Sequence, residues 1–110
     1  MELSSEARDN AMVVRLEGNL DTNTSVAAQE YLNNVMDDGA SRIVVSLQKV
    51  DFVSSAGLRI LLATAKRLGG SGGSLGICGL NETVTEVFEI SGFSTILNVF
   101  STEDEALTGL

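Results

Sequence analysis

Two serines, Ser54 and Ser55, stand where an apolar run ends and helical spacing begins, in Val50-Asp51-Phe52-Val53-Ser54-Ser55-Ala56-Gly57-Leu58-Arg59. Apolar residues at 58, 61, 62, 65 and 68 follow, the i, i+3, i+4, i+7 stripe of an amphipathic helix, and serine is among the best N-cap residues. The spacing predicts a strand-to-helix corner with both hydroxyls at a helix N-terminus. Unpaired N–H groups and the positive end of the helix dipole converge there and suit an anion such as a phosphate. A serine before a helix also has a purely structural use, as a cap. The catalytic alternative fails on residues: a nucleophile elbow needs glycine two positions before the serine, where this chain has Val53, and there is no histidine to serve as base. Lys66 or an aspartate could be a substitute base, but neither lies in a recognised catalytic pattern. The chain is therefore read as a non-enzyme whose serine hydroxyl is modified or contacted.

The same segment resembles the signature of STAS domains, above all the anti-sigma factor antagonists, in which a serine in an Asp-Ser-Ser/Thr-Gly-Leu-like sequence is reversibly phosphorylated. The matching residues are Ser54-Ser55-Ala56-Gly57-Leu58. Ser55 falls on the phosphorylated serine, with Ser54 the second candidate; Ser54 stands in place of the usual acidic residue and Ala56 in place of the second hydroxyl residue. Upstream, Gly18-Asn19-Leu20-Asp21-Thr22-Asn23-Thr24 is similar to the Gly-x-Leu-Asp-x-x-Thr stretch of the same family. With the order of elements, the likeness covers nearly the whole chain, so that residues 1–110 are read as a single STAS domain.

The resemblance implies a partner-switching cycle. The unphosphorylated chain binds an anti-sigma factor serine kinase and frees its sigma factor, the kinase phosphorylates Ser55 with ATP, and a metal-dependent serine/threonine phosphatase resets the switch. On this reading the chain needs no cofactor or metal of its own, because nucleotide and magnesium belong to the kinase. The expected contact surface is Asp21, Thr24, Ser54, Ser55, Ala56, Gly57 and Arg59, continued by the outer face of the 57–68 helix with Lys66 and Arg67. The departures at Ser54 and Ala56 leave open a STAS scaffold subunit of a signalling or transport complex that is not phosphorylated.

The elements that must position the corner follow from periodicity. Met12, Val14 and Leu16 alternate with Arg15 and Glu17 up to Gly18, a half-covered strand, and a weaker strand pattern precedes it near residues 2 to 7. Asp21 to Thr24 supply cap chemistry for a helix whose stripe includes Ala28, Tyr31, Leu32, Val35 and Met36, stopped at Gly39. Arg42 to Leu47 is nearly continuous in β-formers, as expected of a mid-sheet strand covered on both faces. Gly69-Gly70-Ser71-Gly72-Gly73-Ser74 reads as a flexible loop; it has no phosphate-loop frame, and a strand from Leu75 to Gly79 follows it where a dinucleotide motif needs a helix. A helix from Asn81 or Glu82, with Thr83 and Glu86 as a capping box and Gly92 near its end, a strand over Ile96 to Phe100, and a terminal helix opening at Ser101 to Glu105 complete the chain. Alternating strands and helices give an α/β fold: four or five strands in a mixed, mainly parallel sheet, the first strand or strands antiparallel, with about four helices packed against it.

Composition narrows the partners. A chain of 110 residues is long enough for one core, removing roughly 65% of its unfolded surface from water. No apolar run approaches the ~18 residues that span a bilayer, and residues 1–6 lack the charged and apolar regions of a signal peptide, so a soluble cytoplasmic protein without membrane contact is expected. The single cysteine, Cys78, lies in an apolar run and reads as a buried inert thiol. The net charge of −8 argues against nucleic acid and for a partner with a basic surface.

Overall fold

The computed structural model describes residues 1–110. The chain opens in a hairpin: β1 (Glu2–Arg8) and β2 (Ala11–Glu17) pair antiparallel across a two-residue turn at Asp9 and Asn10, with φ of 49° and 64°. Positive φ at both central residues is the turn whose twist matches the flanking strands, and Asp and Asn are the side chains that tolerate it best after glycine. Then come α1 (Thr22–Asp37), β3 (Arg42–Lys49), α2 (Ser55–Gly70), β4 (Ser74–Cys78), α3 (Glu82–Ile90), β5 (Asn98–Phe100) and α4 (Glu103–Gly109). The five strands lie in chain order, with β2 through β5 parallel, so the expected mixed sheet is present and only β1 runs against it.

β3 is the middle strand, and its alternate residues enter two different cores. Ile43, Val45 and Leu47 join the larger core with residues of α1, α2 and α3. Val44 points the other way, into a smaller core with Ala11, Val13, Cys78, Ala106 and Leu107 under α4. Burial on both faces is why this strand is unbroken in β-formers. Burial pushes the Cys78 thiol up to about 11, where it is a poor nucleophile.

Side-chain chemistry fixes both ends of α4. At its start, Glu103 accepts hydrogen bonds from Arg15 Nε (2.8 Å) and Nη2 (3.0 Å) and from Arg8 Nη1 (2.8 Å). The hydrogen bonds from Arg15, with its charge, hold the Glu103 carboxyl below the usual carboxylate range. At its end, Arg42 donates to the carbonyls of Leu107 (3.1 Å) and Leu110 (3.3 Å), which no helical N–H can reach.

Three sequence expectations change. α2 runs on through Gly69 and Gly70, so the glycine-rich loop is only Ser71 to Gly73; Gly73 is required there, because a Cβ would stand 2.1 Å from the Ser41 carbonyl oxygen. α3 is capped by Asn81, whose side chain accepts from the Val84 N–H at 2.8 Å, and not by a Thr83–Glu86 box. The last strand is Asn98–Phe100, because a 3-10 turn at Phe93–Thr95 takes up the preceding chain and leaves Ile96 in solvent. No helix is long and apolar enough to cross a membrane.

Candidate functional site

Parallel strands end on the same edge of a sheet, and the turns that leave this edge meet at Ser54 and Ser55. The turn after β2 is hydrogen-bonded to the turn after β3: the Leu20 N–H donates to the Phe52 carbonyl (2.9 Å) and the Ser54 N–H to the Leu20 carbonyl (2.9 Å), a one-residue parallel bridge between Leu20 and Val53. The turn after β4 is tied in by Asn81, whose Nδ2 donates to the carbonyls of Val50 (3.3 Å) and Asp51 (3.2 Å). Leu20, Val50 and Val53 are fully buried beneath this junction, so the first two turns share one small hydrophobic floor, to which Asn81 ties the third.

The corner itself is a helix start with its duties divided between the two serines. Ser54 is the N-cap, in extended backbone geometry (φ −84°, ψ 173°), and its hydroxyl accepts from the Gly57 N–H at 3.3 Å. Ser55 is the first helical residue and is exposed. Its hydroxyl takes no part in the side-chain hydrogen bonding of the corner, where Ser54 alone does the capping. The α2 dipole points its positive end at this position, and the first turn contains no acidic residue. An exposed hydroxyl on an ordered helix start can be seated in another protein's active site without unfolding anything.

Gly57 explains how close the loops come. A Cβ at this position would stand 2.8 Å from both Leu20 Cγ and the Leu20 carbonyl oxygen and 3.0 Å from Val53 Cγ1. Any other residue would push α2 off the 18–20 turn. Gly57 is buried and so shapes the corner, whereas Ser55 and Arg59 are exposed and Ser54 and Ala56 half-buried.

The expected loop residues have visible structural duties. Asp21 caps α1 by accepting from the N–H groups of Asn23 (2.9 Å) and Thr24 (3.1 Å); Thr24 Oγ1 accepts from the Asp21 N–H (2.9 Å) and donates to the Asn19 carbonyl (2.7 Å). This reciprocal box locks the 19–24 loop beside the corner. On α2, Arg59 and Lys66 are exposed. Arg67 is also exposed, but its guanidinium is bonded to Asp37 and Asn33 of α1 and therefore joins two helices.

The sequence reading missed Phe52, which is 44% exposed at the corner although it lies in an apolar run, and Val26, 62% exposed on α1. Alternation gave no signal for it: Phe52 is in step with the buried Val50, yet it is Val53, of opposite parity, that is the second buried residue, because the chain has left the strand after Lys49. It also missed the Leu20–Val53 bridge, which joins residues distant in the chain and leaves no mark in local periodicity.

Comparison with known proteins agrees with this fold. A model of the STAS domain matches residues 2–106. BtrV of Bordetella bronchiseptica is 36% identical over 96% of this chain and 91% of its own length. The anti-sigma F factor antagonist of Paenibacillus polymyxa is 30% identical over 100% and 95%. Among solved structures, an anti-sigma factor antagonist from Mycobacterium paratuberculosis superposes with a TM-score of 0.91 at 28% identity, covering 98% of this chain and 92% of that one.

Proposed function

Because this chain belongs to the STAS domain family, among relatives named as anti-sigma factor antagonists, we propose that it is a phosphorylation-switched binding module acting on an anti-sigma factor serine kinase. In the unphosphorylated state it binds the kinase and so releases a sigma factor. Ser55 is the phosphoacceptor: its Oγ attacks the γ-phosphorus of kinase-bound ATP, its proton passes to a base on the kinase, and ADP leaves. A metal-dependent serine/threonine phosphatase hydrolyses the phosphoserine and restores the binding form.

The observation that carries this reading is the division of labour at the corner. Ser54 satisfies the helix start, so the exposed Ser55 hydroxyl is free to react and can be substituted without uncapping α2. The partner surface is formed by Ser55, Ala56 and Arg59, with Phe52 at their side, on a frame held by Asp21, Thr24, Ser54 and Gly57. The second reading, a scaffold subunit that is never phosphorylated, draws on Ser54 and Ala56, which replace the acidic and hydroxyl residues of the family signature.

The test is incubation with ATP and the kinase captured by the unphosphorylated chain, followed by intact-mass measurement and peptide mapping. One phosphoryl group on the peptide containing Ser55, absent in Ser55→Ala, supports the switch. Stable capture with no mass change supports the scaffold. Phosphate mapped to Ser54 or elsewhere overturns the assignment of Ser55.

A further inference from the structure

We propose that Arg59 is the built-in counter-ion of phosphorylated Ser55, folding back onto the phosphate and thereby withdrawing from the partner surface. The inference rests on Ser55 being the phosphoacceptor and adds how the modified state is held.

The supporting observation is the use of arginine across the molecule. Arg8 and Arg15 are committed to Glu103, Asp104 and Glu6, Arg42 to backbone carbonyls, and Arg67 to Asp37 and Asn33. Of the five arginines in this chain, Arg59 alone has no ion pair or hydrogen bond to another group, and it is exposed. In a protein of net charge −8, the one uncommitted guanidinium sits one helical turn from Ser55.

The geometry suits pairing. Residues i and i+4 on a helix are neighbours on one face, and helical side chains lean toward the N-terminus, so Arg59 leans over the turn that Ser55 begins. An acid at i followed by a base at i+4 is the favourable order, because each charge then also opposes the helix dipole. A guanidinium offers two parallel donors to phosphate oxygens. No carboxylate in the first turn of α2 competes for Arg59. The nearest acidic groups in the joined loops are Asp21, already turned onto its own helix, and Asp51; both make a local cation more useful to a dianion.

The consequence is a switch with two linked parts. In the unmodified chain Arg59 is available to an acidic group on the partner; after phosphorylation it is occupied internally, so the partner meets a bulky phosphate and loses a cation at once.

The test uses full-length protein with phosphoserine installed at position 55 by genetic encoding, compared with the same protein carrying R59Q or R59K. Phosphorus NMR through the second phosphate ionisation, ordinarily near pH ~6, reads the pairing directly. The expected result is an ionisation at least about half a pH unit lower with Arg59 than in R59Q, the difference shrinking between ~0.01 M and ~1 M salt as the screening length falls from ~30 to ~3 Å. R59K should fall between. Equal ionisation in the Arg59 and R59Q proteins overturns the proposal, and so does R59K behaving like R59Q, because the charge survives that change. Since no kinase is used, failure of Ser55 to accept phosphate from a kinase and failure of this pairing are separate results.

Discussion

Replacing Gly57 with alanine tests whether the close seat of α2 on the 18–20 turn organises the corner. The added Cβ would lie 2.8 Å from the Leu20 carbonyl oxygen, a backbone atom that cannot rotate away, and that oxygen is also the acceptor of the Ser54 N–H. The chain must then shift by several tenths of an ångström, against a floor where Leu20 and Val53 are fully buried. Overpacking of this kind costs ~1–3 kcal/mol, while alanine recovers at most ~1 kcal/mol of helix propensity over glycine. The net expectation is a loss of about 1–2 kcal/mol, which lowers the melting temperature by roughly 5–10 °C in a domain of this size. Gly69→Ala is the internal control: it lies in the last turn of the same helix with nothing within 4 Å of its Cβ, so it should gain up to ~1 kcal/mol. Paired urea and thermal melts followed by circular dichroism measure both. If Gly57→Ala were as stable as the parent, or if both glycines responded alike, the close approach of α2 to Leu20 could not be the constraint that selects glycine.

Ser54→Ala removes the N-cap acceptor and should cost about 0.5–1 kcal/mol in chemical denaturation, the low end of the range because the bond it loses is 3.3 Å long; Ser55→Ala, which loses no bond, should melt like the parent. Glu103→Gln tests the α4 clasp: the folded-state pKa is depressed by Arg15, so its contribution is present above the unfolded value of ~4.3 and is lost as pH falls through the folded one. The parent should therefore be the more stable at pH 7, and the two proteins should converge in thermal melts as pH drops below ~4. Protein carrying phosphoserine at position 55 should keep its circular dichroism spectrum and melt no earlier than the unmodified chain, while its affinity for the kinase in a titration drops at least ~10-fold, about 1.4 kcal/mol.

What the sequence disclosed follows the range of the forces involved. β3 was legible because strands buried on both faces carry continuous β-formers, and the start of α2 because capping and helical spacing are local. β1 gave a weak pattern because Glu2–Arg8 is an edge strand exposed over most of its length, so no burial imposes alternation on it. Gly69 and Gly70 read as loop because glycine is a poor helix former, yet a helix already anchored by Leu61, Thr64 and Leu68 carries two more residues to its cap at Ser71. Asn81 was visible as a helix start, but its bonds to Val50 and Asp51 were not, since they join turns that only the parallel sheet brings together. The same holds for Arg15 and Glu103, whose charges were read separately as a strand face and a helix start.

The corner is over-determined, and that limits how a phosphate there can act. Ser55 sits on a helix start fixed from below by Gly57 against Leu20 and Val53, from one side by the 20–53 bridge, and by Asn81 on the turn that leads to it. A group added to the exposed hydroxyl touches none of these contacts, and its negative charge is favoured by the helix dipole. On the proposed reading, the free energy that separates the two binding states must therefore come from the surface the partner meets: a dianion of about −1.5 to −2 charges that resists desolvation, and the proposed commitment of Arg59 to it. A switch built in this way needs no moving element, so its two states should share one backbone. Its strength should depend on salt and on Arg59 more than on the stability of the fold.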